Sequence, residues 1–125
     1  MTQPRSPMSD DATERTMDDE LAAWGKAIVL ETTGRHSGLP RRVTIGFVEH
    51  DGALLVAAAS DDTHWAQNLA AEPRGHVELR GARHACLAEK LSGDQRDAAV
   101  VALILKYGTP AERLGAGPAF RLAPA

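Results

Sequence analysis

The sequence predicts an α+β fold: one domain of about six mostly antiparallel strands, closed into a small barrel with two to three helices packed on its ends. Three observations predict it. Asp51-Gly52 separates two runs rich in β-branched and apolar residues, 43–49 and 53–59, and an Asp-Gly pair supplies the positive φ that a two-residue hairpin turn requires. Helix signals occur between such runs: Trp65 and Leu69 four apart, and capping-box spacing ahead of the apolar stretch 98–105. A chain of 125 residues with 43% hydrophobic content has enough for one core and fits one domain.

The elements follow in order. Residues 1–20 hold six acids and two arginines, so the opening stretch 1–17 is expected to be a mobile acidic tail and 18–125 the folded domain. Residues 18–24 suit a short helix ended by Gly25. AIVLETT (27–33) reads as the first strand, and the loop 34–40 follows it. The run 53–59 is apolar throughout and is expected to be buried on both faces. Ser60, Asp61 and Asp62 offer N-caps to a helix that Pro73 stops, because the residue before proline disfavours helical geometry. Residues 76–80 and 83–89 form strands around Gly81. Ser92-Gly93-Asp94-Gln95 has capping-box spacing and opens a helix through Lys106 that Gly108 closes. The body of that helix is apolar nearly all round, which predicts burial. Residues 119–122 give a last strand.

Composition excludes several functions. The net charge is −3, with −4 in residues 1–20, so the rest is near neutral. A nucleic-acid binder shows a strongly basic face, and five aromatics are few for stacking bases. The longest apolar run falls far short of the ~20 residues of a bilayer crossing, so no membrane span is expected. The N-terminus lacks the apolar core of a signal peptide, and the single cysteine, Cys86, has no internal partner; both point to the cytoplasm.

The segment 32–42, TTGRHSGLPRR, carries most of the chemistry. Gly34 and Gly38 permit a tight turn and exposed backbone N–H groups. Arg35, His36, Arg41 and Arg42 fall within eight residues that contain no acid. Arginine's planar fork matches two oxygens of a phosphate or carboxylate, and the Thr33 and Ser37 hydroxyls add donors. The inference is a phosphate or polycarboxylate site; the alternative is a solvated turn. It is neither a Walker loop, lacking the Gly-Lys-Ser/Thr ending, nor a dinucleotide fingerprint.

This loop resembles the T-T-G-R-K-S/T-G-x-P-R segment of the deazaflavin-dependent nitroreductases. HWAQNLAAEPR (64–74) resembles that family's A-W-Y-H-N-L-x-A-N-P-x, and PAFRLAPA (118–125) is similar to its final P-V-F-x-L strand. The resemblance implies a split β-barrel and the cofactor F420, a hydride carrier with a phosphate and an oligoglutamate tail. It places Arg35, Ser37, Arg41 and Arg42 near that tail, with Ala58, Ala59 and Ser60 beside the ring and Trp65 and Asn68 shaping the same pocket. The implied activity is hydride transfer from reduced F420 to a small organic acceptor. Backbone N–H groups after Ser60 would stabilise developing charge, and Tyr107 or a water would give the proton. Related split barrels use FMN, which keeps an FMN-binding oxidoreductase open, as is a non-catalytic flavin or deazaflavin carrier. Many such barrels are homodimers. The chain departs from the family pattern at His36, where lysine is usual, at Ala66 and Gln67, and in having Tyr107 as its only tyrosine.

Two further candidates lie on one hairpin. In a symmetric register about Gly81, His76 faces Cys86 and Glu78 faces His84, four ligand-type side chains on one face; a one-residue slip parts them. No Cys-x-x-Cys or His-x-x-x-His element accompanies them, so no metal is expected. Cys86, among alanines in a strand, is expected to pack as a small hydrophobe.

Overall fold

A computed structural model describes residues 26–108 and 117–125. The tail 1–17 and the helix 18–24 expected above lie outside the described residues. The strands are β1 (Ile28–Thr33), β2 (Pro40–Ile45), β3 (Val48–His50), β4 (Ala53–Ala57), β5 (Arg74–Leu79), β6 (Ala82–Lys90) and β7 (Ala119–Pro124). Two helices accompany them, α1 (His64–Ala71) between β4 and β5, and α2 (Gly93–Tyr107) after β6. All pairings are antiparallel, in the order β2-β1-β5-β6-β7-β4-β3.

The Asp-Gly turn forms as its residues require. Asp51 and Gly52 both hold positive φ, 50° and 77°, and His50 pairs with Ala53. The run 43–49 does not form one strand, however. It breaks at Gly46-Phe47: its first half pairs with β1 and its second with β4, giving seven strands rather than six. The physical reason is visible at the break. Phe47 N–H donates to the Tyr107 hydroxyl at 3.0 Å, and the Lys106 ammonium donates to Phe47 C=O at 2.7 Å, so side chains replace the ladder there.

One face of the sheet encloses the main core. Ile28 and Leu30 of β1, Val56 of β4, Val77 of β5, Cys86 of β6, and Phe120 and Leu122 of β7 meet with Phe47 and with Ala66 and Leu69 of α1. Strands far apart in the sheet share this cluster, so the sheet curls around it. Full burial of side chains such as Phe47, Ile28 and Leu30 stabilises by about 1.5–3 kcal/mol each. A second core lies on the opposite face, where Leu55 and Ala57 of β4 and Ala119 of β7 pack with Ala99, Val100 and Leu103 of α2. Strand β4 is thus buried on both sides, as its unbroken apolar run predicts; only Leu54 is half-buried.

Four expectations about the helices and the second hairpin are corrected. Helix α1 starts at His64 with Thr63 as its N-cap residue, not at Ser60 to Asp62, and no side chain caps it. Ser92 is the N-cap residue of α2, but its side chain makes no capping bond, so the capping box is not closed; Gly108 ends the helix as expected. Helix α2 is also not buried all round. Its β4-facing stripe is buried, while Val101 and Leu105 are 53% and 82% exposed. In the second hairpin the turn takes two residues, Arg80 and Gly81, both at positive φ. His76 therefore pairs with Ala85, Glu78 with Arg83, and Cys86 with Gly75. His76 and Glu78 fall on one face, His84 and Cys86 on the other. Among the described residues no group of three or more His, Cys, Asp or Glu is placed to hold a metal.

Candidate functional site

Strand β1 ends at Thr33 and β2 begins at Pro40, and the loop between them is folded on itself. Gly34 N–H donates to Leu39 C=O and Gly38 N–H to Gly34 C=O, both at 2.8 Å, while Leu39 N–H donates to Ser37 Oγ at 3.1 Å. The glycine N–H groups expected to face an anion are therefore used within the turn. What the loop offers outward is side chains.

Alternation along the strands decides which ones. Arg41 pairs with Thr32 and lies on the face that β1 turns toward α1; Arg42 pairs with Glu31 on the other face. Arg42 gives its charge to Glu78, with Nη2 at 2.9 Å from Oε1, within a network that includes Glu31 and Arg83. The structure thus separates Arg42 from the other two arginines, a correction that follows from the period of two. The Glu31 carboxyl is held below the usual carboxylate range, chiefly by its paired hydrogen bonds from Arg83. The Arg41 guanidinium has no ion-pair or hydrogen-bond partner among the described residues. Its Cγ lies 3.5 Å from where a Cβ on Gly34 would stand, beside Arg35.

Arg35 folds back onto α1. Its Nη1 donates to Asn68 Oδ1 at 2.8 Å and its backbone N–H to the same oxygen at 3.2 Å. Nη1 also reaches His64 C=O at 3.5 Å, and Nη2 lies 3.4 Å from His64 Nδ1. Asn68 Nδ2 donates in turn to Thr32 Oγ1 at 3.1 Å, and both Asn68 and Thr32 are buried. Thr32 is the polar residue that sequence reading missed; the doublet Thr32-Thr33 gives no sign of which hydroxyl points inward. His36, Ser37 and Gly38 are exposed at the tip of the loop, and Thr33 is half-buried.

The remaining candidates divide between the two ends of β1. Ala59 and Ser60 are exposed between β4 and α1. Ser60 N–H reaches Thr63 Oγ1 at 3.4 Å, which closes a turn before α1. Ala58 is buried in the main core and shows no face to solvent. Trp65 packs half-buried against that core, its ring 6.0 Å from the ring of Phe120. Tyr107 is not brought to the loop. It lies at the start of β1, where its hydroxyl accepts from Phe47 N–H and donates to Lys26 C=O at 2.8 Å, so its hydrogen-bonding capacity is closed by backbone. Cys86 is buried and burial pushes its thiol up, which makes it an inert core residue.

A groove of about 410 Å³ opens where β1 and β5 part beyond the Glu31–His76 pair, lined by Thr33, Pro40, Glu72, Arg74, Gly75 and Cys86 among others. Its acids, Glu31 and Glu72, are paired with Arg83 and Arg74. It adjoins the arginine loop without including Arg35 or Arg41.

An acid-free loop with one unpartnered arginine and a second held by a buried amide offers donors of the kind an anionic group takes. The sequence profile of the F420H(2)-dependent quinone reductase family matches residues 9–110. The chain belongs to this family. It is therefore an F420-dependent oxidoreductase, and coenzyme F420 is its cofactor, where loop chemistry alone left FMN open. The residues present fit that group, since its anionic tail requires cationic donors and the loop supplies Arg35 and Arg41 with no acid within residues 34–42.

No curated protein matches the chain in sequence. Solved structures give the split-barrel fold. The structure of an F420-H2 dependent reductase (FDR-A) is similar with a TM-score of 0.66 at 24% identity, over 78% of this chain and 93% of that one. HutZ, the heme storage protein from Vibrio cholerae, superposes with a TM-score of 0.68 at 19% identity, over 88% of this chain and 89% of its own. A protein described as a domain-swapped dimer reaches 0.66 at 23% identity, over 94% of this chain and 99% of that one. No helix among the described residues is long and apolar enough to cross a membrane.

Proposed function

We propose that this family member passes a hydride from reduced F420 to a small organic acceptor of the quinone or nitro-compound class. Reduced F420, when bound, supplies the hydride; the chain binds, orients and shields. Arg35 and Arg41 hold the anionic tail, with His36, Ser37 and Thr33 at the rim of the same loop. Trp65 and the exposed turn Ala59-Ser60 border the ring, while buried Asn68 stands behind Arg35. With Tyr107 closed off, water at this open site delivers the proton. The observation that carries this reading is the pair Arg35 and Arg41 on one face of an acid-free loop, one unpartnered and the other held in place. The family named by the sequence profile supports it.

A homodimer is the assembly we propose, supported by the similar protein described as a domain-swapped dimer. The single cysteine supports a cytoplasmic location.

The test is a parallel titration of the full chain with F420 and with FMN, followed by acceptor-dependent oxidation of reduced F420 by menadione and by a nitroaromatic. Micromolar or tighter binding of F420, lost when Arg35 and Arg41 are both alanine, is the expected result. Tight binding by that double variant would remove the loop from the site. Binding without oxidation by either acceptor would leave a carrier rather than a reductase. Light scattering of the purified chain decides the dimer.

A further inference from the structure

The Asn68 carboxamide lies almost wholly out of solvent, its oxygen bonded to Arg35 of the loop and its nitrogen to Thr32 of β1. Arginine only donates hydrogen bonds, so the amide oxygen faces Arg35, accepting at 2.8 and 3.2 Å. The amide nitrogen is then left for Thr32 Oγ1, which accepts at 3.1 Å. Thr32 and Asn68 are 2% and 4% exposed, so this orientation is fixed inside the protein rather than by water. On the Arg35 side, Nη1 is engaged by Asn68 and His64, and one Nη2–H points to His64 Nδ1. The Nε–H and the second Nη2–H have no partner among the described residues. The Nε/Nη2 edge of a planar guanidinium matches two oxygens of a phosphate or carboxylate.

We infer that Asn68 is a positioning residue, with Thr32 behind it, and that this relay holds Arg35 so that its Nε/Nη2 edge meets the anionic tail of F420. Thr32 makes no hydrogen bond to Arg35; it acts through the amide. The inference rests on the reading of the loop as the tail site. Its physical advantage is pre-organisation: an arginine already held in one rotamer loses less freedom when the anion arrives.

A double-mutant cycle between two residues that share no hydrogen bond tests it. Dissociation constants are measured for wild type, Thr32→Val, Arg35→Ala and the double variant, with Thr32→Ser as the rescue, using F420 and, separately, inorganic pyrophosphate as the anion alone. Thr32→Val is expected to weaken F420 about fivefold and Arg35→Ala about thirtyfold, with the double variant within about twofold of Arg35→Ala alone. Thr32→Ser should return to within about twofold of wild type. Asn68→Leu should resemble Arg35→Ala; if it fails to fold, the Thr32 cycle decides alone. Equal effects of Thr32→Val with and without Arg35, or no effect with Arg35 present, would overturn the relay. If F420 does not bind but pyrophosphate shows the same non-additivity, the relay stands and the functional reading falls. If neither anion binds the wild type, both fall.

Discussion

Strand β1 carries a polar cluster at each end, about 20 Å apart at 3.3 Å per residue over six residues, and the two have opposite character. At its start, Tyr107 accepts from one backbone N–H and donates to a carbonyl, and Lys106 donates to Phe47 C=O while sitting 3.6 Å over the Phe47 ring. That cluster is committed to backbone groups, and it fastens α2 to the start of the sheet. At the other end, Arg35 engages three of its five guanidinium donors and Arg41 engages none among the described residues. By residue type, a tyrosine is a better candidate for proton chemistry than an asparagine. Counting donors and acceptors reverses that ranking, because recognition needs hydrogen-bonding capacity that the fold itself has not consumed.

Four experiments sharpen or break the contrast. The largest effect belongs to the open end: Arg35→Ala with Arg41→Ala should raise the F420 dissociation constant by about 100-fold or more, two charge-assisted bonds being worth about 1.5–3 kcal/mol each. Titration measures it, and urea unfolding should show a loss of under about 2 kcal/mol, since Arg41 is exposed and bonds to nothing described. The backbone-bound end should give the reverse pattern. Gly46→Ala would set a Cβ 2.9 Å from the Tyr107 ring, and Tyr107→Phe removes a bridging hydroxyl. Each should cost about 1–3 kcal/mol of stability with F420 affinity within about twofold. Loss of turnover in a fully stable Tyr107→Phe protein would break the comparison. Arg42→Ala comes third. Its partner Glu78 is partly exposed, so stability should change by less than about 1 kcal/mol and affinity far less than in Arg41→Ala. The smallest effect is in pH. Glu31 has a lowered pKa in the folded chain, so its contribution is present above the usual carboxylate range and is lost as pH falls through the folded value. Acid unfolding of Arg83→Ala should therefore show a shallower loss than wild type between mildly acid and strongly acid pH.

Much of this was legible in the chain because local chemistry decided it. Asp51-Gly52 left little choice of turn, and the unbroken run after it left little choice but burial on two faces. The second hairpin was not legible in the same way. Symmetry about Gly81 assumes that glycine alone makes the turn, whereas Arg80 joins it at a φ of 51°, which an arginine gives no reason to expect. The burial of α2 was overstated for a related reason: an apolar helix reads the same all round, and only the sheet determines which stripe it covers. In the site, three arginines announced an anion, but the division between Arg41 and Arg42 depends on the strand starting at Pro40, inside what reads as loop. Thr32 and Asn68 lie 36 positions apart, and no local pattern joins them.

Strand β4 serves as a party wall. Val56 faces one hydrophobic cluster and Leu55 the other, so neither compartment has a boundary of its own. Heat should therefore find no seam along which α2 could detach while the barrel persists. A calorimeter should record a single endotherm whose van't Hoff and calorimetric enthalpies agree, and a methyl group removed on one side of the wall should lower the melting temperature of the whole.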